Sequence, residues 1–349
     1  MAWKGWTRLL PERAPLSPDT SSPKTDDPQV HPHAALGDHL PNGPDDAART
    51  TRSLSALLSA HSAWLHQEAQ CSRAVFDELA PSDFKLRGAN LSHAAIHRCT
   101  FLDADFSGTN FTGATFDFTD VRSATFDSAD FTSAQFTQVQ FDGSWLRGVS
   151  FGESKLSECT FRKANMERSR WPEANVQSCD FSRASIRAAS FHQSRFYSCN
   201  FADVCLAEAV LFHARFELCR FRSADLSGGN FTSVRVPECD FSHADLTGCC
   251  FQKAILQSAV FAHASMSGCD FREATLSGGE FWGANLRGAR FGGARLLGAD
   301  FRAADLSGAR ECTAEQLSKA RTNEDTILPN GRRGPYLKNS GAERPLVRD

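Results

Sequence analysis

The sequence predicts a repeat architecture, one quasi-linear domain in place of a central globular core. Three observations carry that expectation. From residue 86 to residue 306 every fifth residue is apolar: 45 consecutive positions drawn from Leu, Ile, Val, Met, Phe and Trp, of which 24 are Phe. Two residues before each lies a small residue (Ala, Cys, Ser, Thr, Val or Gly) at 44 of the 45, with Phe84 the exception. A period of five fits neither the 3.6 of an amphipathic helix nor the 2 of a half-buried strand. Self-similarity at a fixed period is the mark of stacked repeats.

The units Ala-Asp-Leu-Ser-Gly at 224–228 and 304–308, Ala-Asn-Leu-Arg-Gly at 284–288 and Ala-Asp-Phe-Thr-Ser at 129–133 resemble those of the pentapeptide-repeat proteins. The resemblance covers about two-thirds of the 349 residues. It implies an all-β fold, a right-handed, parallel, quadrilateral β-helix with one pentapeptide per side and four per coil, to which the flanking residues add short helices at the two ends. The sequence can test that shape. If a coil takes four such units, the rows of Phe101 and of Leu91 lie on opposite walls, and together they are aromatic at 19 of 22 places. The rows of Leu86 and Ile96 are aromatic at only 6 of 23. Facing ring ladders alternating with thinner aliphatic walls fill a narrow square interior, which a three-sided coil would not do. Residues 83–310 then make about 11 coils, a rod about 50 Å long at the spacing of neighbouring strands.

In chain order, residues 1–50 are rich in Pro, Ser, Asp and His and show no periodicity, the composition of a disordered tail. Trp3, Trp6, Leu9 and Leu10 form a short apolar cluster within it, either a docking peptide or a segment of no consequence. His31, His33 and His39 lack partnering cysteines and do not read as a metal site. Residues 51–82 read as an amphipathic helix through about 79, with Leu54, Leu57, Leu58, Leu65, Phe76 and Leu79 as its stripe and Trp64 beside it. Such a helix caps the open end of the first coil, whose unpaired backbone would template aggregation; the alternative is a surface for a partner or a second copy. After the repeats, Thr313 to Gln316 match a capping box. Residues 311–330 therefore read as a short helix with what resembles the closing segment common at the C-terminal end of pentapeptide-repeat proteins, and 331–349 as a flexible tail.

Net charge is −3, so no global pull toward nucleic acid or acidic lipid exists. No apolar run reaches membrane-spanning length, and the first ten residues hold no apolar core of a secretory signal. Eight of the twelve cysteines occupy the small inward position, and Cys159, Cys179, Cys199, Cys219 and Cys239 recur once in every four units. They read as small buried hydrophobes, stacked too far apart for disulfides, in a reduced cytoplasmic setting. No phosphate-binding glycine loop, zinc-protease helix or nucleophile elbow occurs. No catalytic residue, cofactor or metal is expected. His243 and His263 are expected to stack, without a third ligand.

The outward residues carry what remains. Residues 83–310 hold 24 basic and 25 acidic residues, unevenly spread. Asp103, Asp105, Asp117, Asp120, Asp127, Asp130 and Asp142 form an acidic section opposed within 101–142 by Arg122 alone. Lys155, Arg195, Arg215, Arg235 and Arg295 share one row with no acidic member. That row is either a solvated ridge or the face that meets an acidic partner or a phosphate chain, the latter by direct nucleic-acid binding. Phe118, Trp145, Tyr197, Phe212 and Trp282 are the exposed aromatic candidates for partner contact. The expected function is a non-enzymatic protein-interaction scaffold whose partner is another protein. The resemblance implies that such a chain can accompany secretion machinery as an adaptor. It also implies an alternative, a DNA mimic that binds a type II topoisomerase, which the acidic section suits and the balanced remainder does not.

Overall fold

The computed structural model describes residues 44–81 and 83–345. The tail cluster around Trp3 and Trp6 and the three tail histidines lie outside them. The chain folds as a parallel β-solenoid whose register advances four pentapeptides per coil. Strands β1 (Val75–Asp77), β2 (Ala95–His97), β3 (Thr115–Asp117), β4 (Gln135–Thr137), β5 (Lys155–Ser157), β6 (Asn175–Gln177), β7 (Arg195–Tyr197) and β8 (Arg215–Glu217) form one parallel sheet in sequence order. Phe76 pairs with Ile96 and Ile96 with Phe116, each step one full coil along the chain. Three further columns of single bridges run alongside, beginning Lys85↔Asp105, Asn90↔Asn110 and Thr100↔Asp120. One sheet and three bridge columns make four walls.

The walls are short because the chain turns a corner with every repeat. The residue two after each apolar centre has positive φ at every fifth position from 88 to 308, and most of these are not glycine. Left-handed backbone costs a side chain energy. Here bonding offsets that cost: the corner N–H donates to a carbonyl on the next coil, as Gln138 does to Ser157 at 3.0 Å. The outward residue before the apolar centre is often Asp or Asn, and its Oδ1 accepts the N–H two residues later, as in Asp105 with Ser107 (3.0 Å) and Asn110 with Thr112 (2.9 Å).

The interior is a set of stacks. Phe141, Phe161 and Phe181 lie almost parallel, with centroids 4.7 and 4.9 Å apart. Phe241 and Phe261 share a wall at 5.0 Å, as the four-sided coil requires. In the opposite stack Trp171 lies 4.0 Å from Phe151, and its Nε1 donates to Ser169 Oγ at 2.9 Å. That serine fills the small inward position and satisfies a buried indole. Other inward serines, Ser144, Ser154 and Ser194, donate to the carbonyl three residues back, which makes a hydroxyl tolerable in the core. At two inward positions only glycine fits: a Cβ on Gly229 would lie 2.8 Å from the Phe231 ring, and one on Gly279 would lie 2.9 Å from the Phe281 ring. All twelve cysteines are free and eight are buried. Burial pushes the Cys99 thiol up to about 11 and the Cys249 thiol up to about 12.

The ends differ from the expectations in detail. Helix α1 runs Pro44–Leu65, not through 79. Gln67 and Gln70 take positive φ just beyond it. Phe76, placed in the helical stripe, instead stands two repeat units before Leu86 with the small Ala74 ahead of it, so it follows the repeat's phase and enters β1. Leu57 is buried against the core, with Leu54 and Leu58 half-buried beside it. His61 pins the helix to the first coil. Its Nδ1 accepts the Ala74 N–H at 3.0 Å, its ring stacks on Trp64, and it is fully buried. Burial pulls its pKa down, the nearby Ser92 backbone opposes this, and the charge of His93 adds to the lowering.

At the other end, α2 (Ala314–Ser318) begins with a complete capping box between Thr313 and Gln316. The Gln316 side chain also donates to the Phe291 and Ala294 carbonyls at 2.8 and 2.9 Å, closing the last coils. Residues 331–345, expected as a free tail, fold back instead. Gly331 and Gly334 reverse the chain, Ile327 bridges Arg333 antiparallel, and Ala342 is buried.

Phe241→Ala should destabilise the protein by ~3–5 kcal/mol in urea unfolding, because it empties a place between two stacked rings. Lowering the pH should loosen α1. The His61 contribution is complete above the imidazole's ordinary value of about 6.5 and is lost as pH falls through the lowered folded value, since the unfolded chain binds the proton more readily. His61→Asn keeps an acceptor near Nδ1 and should flatten this dependence of Tm between pH 7.5 and 5. In the folded protein, thiol titration should detect no cysteines beyond Cys71, Cys205, Cys250 and Cys312, the four that are not buried. The remaining eight should react only on unfolding.

Candidate functional site

Outward side chains sit in columns one coil apart, so the register decides which charges meet. Arg195 pairs with Arg215 across β7 and β8, and Arg215 bridges Arg235 on the next coil. All three are exposed, and neighbouring coils place them about 4.8 Å apart along the rod. Lys155 shares the column but is separated from Arg195 by Asn175, and Arg295 lies beyond Ile255 and Thr275. The structure therefore gathers three of the five basic candidates. Arg215 Nη1 approaches Glu217 Oε1 at 3.6 Å. Arg195 and Arg235 form no ion pair among the described residues.

The seven aspartates do not gather. Asp105, Asp120 and Asp130 belong to three different bridge columns and Asp117 to β3, so they ring the rod. Four have an arginine beside them: Asp105–Arg87 at 3.5 Å, Asp120–Arg122 at 2.7 Å, Asp127–Arg147 at 2.5 Å and Asp142–Arg162 at 3.2 Å; His97 Nδ1 lies 3.0 Å from Asp117. Arg147 and Arg162 lie a full coil past their partners, outside any local count. Asp103 takes one of the positive-φ corners, with φ of 55°. Burial pushes the Asp105 carboxyl up, but hydrogen bonds from Ser107 and the Arg87 charge outweigh it and hold it below the usual carboxylate range.

The exposed aromatics are Phe118, Trp145, Tyr197 and Trp282, while Phe212 is half-buried. Arg147 lies over the Trp145 ring at 5.6 Å. Trp282 meets the edge of His263, which stacks on His243 at 5.1 Å. Stacked imidazoles turn their faces, not their nitrogen lone pairs, toward each other, and the described residues hold no cluster of three metal-ligating side chains. A void of about 10 Å³ among Phe76, Phe84, Leu86 and their neighbours holds at most one water. No helix among the described residues is long and apolar enough to cross a membrane.

Sequence reasoning missed Leu218. It is exposed and left-handed, with φ of 54°. From 88 to 288, each of the other corner N–H groups finds its carbonyl on the next coil, but that of Leu218 makes no such bond among the described residues. The next coil carries Pro237 at the facing place. The turn changes there and stays changed on the following coils, where Gln257, Ser277 and Leu297 hold the same place, and the continuous sheet ends at β8. The legible signal is the Val-Pro-Glu unit at 236–238, the one repeat in this row with proline after the apolar centre.

Among curated proteins, none matches the chain. Solved structures do. One is HetL, a pentapeptide-repeat protein involved in heterocyst differentiation regulation in the cyanobacterium Nostoc sp. strain PCC 7120, 19% identical, covering 68% of this chain and 92% of its own, with a TM-score of 0.31. QnrB1, a plasmid-mediated fluoroquinolone resistance protein, is 20% identical over 48% of this chain and 82% of its own, with a TM-score of 0.28. Rfr23, a pentapeptide-repeat protein of the cyanobacterium Cyanothece 51142, is 30% identical over 26% of this chain and 62% of its own, with a TM-score of 0.25. Two sequence profiles described as pentapeptide repeats match successive segments between 89 and 278, and 261–310. With a register of four pentapeptides per coil, four walls and that match over more than half its length, the chain belongs to the pentapeptide-repeat family.

Proposed function

We propose that this protein is a non-enzymatic interaction scaffold of the cytoplasm whose partner is another protein. The observation that carries the reading is the fixed register. It holds large side chains such as Trp145, Tyr197 and Trp282 exposed at the surface of a rod with a filled interior. Aromatics and arginines on rigid supports are what partner hot spots are made of, because little side-chain freedom is lost on binding. The inward thiol column supports a reducing compartment. DNA mimicry finds less support, because its acidic section is spread around the rod and four of its seven aspartates are paired with arginines.

Affinity capture from nuclease-treated extract of the source cell should retain a protein in stoichiometric amount with the full-length chain. Trp145→Ser, Tyr197→Ser and Trp282→Ser should each change folding stability by no more than about 0.5 kcal/mol as surface changes. At least one should weaken capture about tenfold, equivalent to about 1.4 kcal/mol. A chain that retains no protein, or whose capture ignores all three substitutions, would overturn the reading.

A further inference from the structure

The wall ending at β8 combines three features that occur together nowhere else on the described rod. The first is the column Arg195, Arg215 and Arg235, in which three cations on successive coils share one 3.6 Å contact to Glu217. Like charges this close repel one another, so the column gains nothing for the isolated fold. The second is an apolar strip beside it: around each coil, exposed Tyr197 and Leu218 follow the arginines. The third is the Leu218 corner itself, a bulky side chain in left-handed backbone whose N–H has lost its place in the ladder. Strain and an unfilled donor at an exposed apolar residue mark a place held for contact.

We propose that this wall docks an acidic amphipathic helix of a partner protein, lying along the rod axis. This rests on the scaffold reading and specifies its surface and the partner's chemistry. Carboxylates at i, i+3 or i+4, and i+7 of a helix recur about every 5.4 Å. That is close to the coil spacing of about 4.8 Å, so two helical turns place three carboxylates over Arg195, Arg215 and Arg235. The helix's apolar flank then covers Tyr197 and Leu218. A phosphate chain fits worse. Glu217 and Glu238 lie on the apolar side of the arginine column, where a continuous polyanion would meet both of them. On the other side of the column, Phe212 stacks on His192 and meets His213 edge-on, completing an aromatic border.

The test uses the full-length protein with three fluorescent probes at physiological salt. These are a synthetic helical peptide with Glu at i, i+4 and i+7 and Leu on the adjoining face, the same peptide with Lys for Glu, and a duplex DNA. The Glu peptide should bind and the Lys peptide should not. Arg215→Glu should weaken Glu-peptide binding at least about tenfold and Leu218→Ser by several-fold, while Lys155→Glu and Arg295→Glu on the same column should change it less than about twofold. Arg215→Gln, which introduces no new charge, should show an intermediate loss and guards against misfolding of the reversal variant. Absent Glu-peptide binding, binding indifferent to Arg215, or DNA bound more tightly with the same dependence would overturn the proposal. The scaffold reading is separable: if Arg215→Glu still captures the native partner as the wild type does, the docking wall falls and the scaffold stands.

Discussion

One residue in five takes left-handed backbone, and the square coil exists because of it. Each such corner turns the chain so that the next apolar residue points inward again, and its N–H reaches the coil stacked beside it. The cost of positive φ for residues such as Gln138 or Arg168 is met locally by that hydrogen bond and by the ring or aliphatic stack inside. Stability in such a rod is a sum of neighbour contacts, not the property of one core. Ordered ends are then a necessity: His61 and the α1 leucines cover one end, and Gln316 with the folded-back C-terminal segment covers the other.

The same constraint explains the acidic surface. Aspartates and asparagines before the apolar centre are turn-formers, accepting the N–H two residues on, as Asp120, Asp130, Asp180 and Asp240 do. A high count of aspartate is therefore what the fold needs, and it says little about a partner. Arginines one coil away, or two residues away as in Arg122, Arg272 and Arg302, neutralise many of them. Against that paired background the Arg195–Arg215–Arg235 column stands out because three arginines stack on successive coils with one contact to a carboxylate among them.

The rod is not uniform along its length. From β1 to β8 one wall is extended, and rings on adjacent walls meet edge to face, as Phe131 does with Phe136 and Phe196 with Phe201. From Val236 on the row carries Val236, Leu256, Leu276 and Leu296, and between Phe221 and Phe281 ring contact in the core is confined to stacking within a wall. A single proline on the outer surface coincides with the change, and the strained Leu218 corner lies on the boundary.

The sequence by itself determined the repeat, the four-walled stacking of its apolar rows and the Thr313–Gln316 cap, because each depends on spacing along one strand of chain. Phe76 shows the limit: its phase with Leu86 was present in the sequence, but a helical stripe explained it as well until β1 paired with β2. Which surface charges are paired was decided only by tertiary structure. Asp127 meets Arg147 across a full coil, whereas Arg195 and Arg235 flank Arg215. Only stacking brings residues of successive coils into contact, and only there does the Leu218 N–H, unlike the neighbouring corners, miss the carbonyl of the next coil.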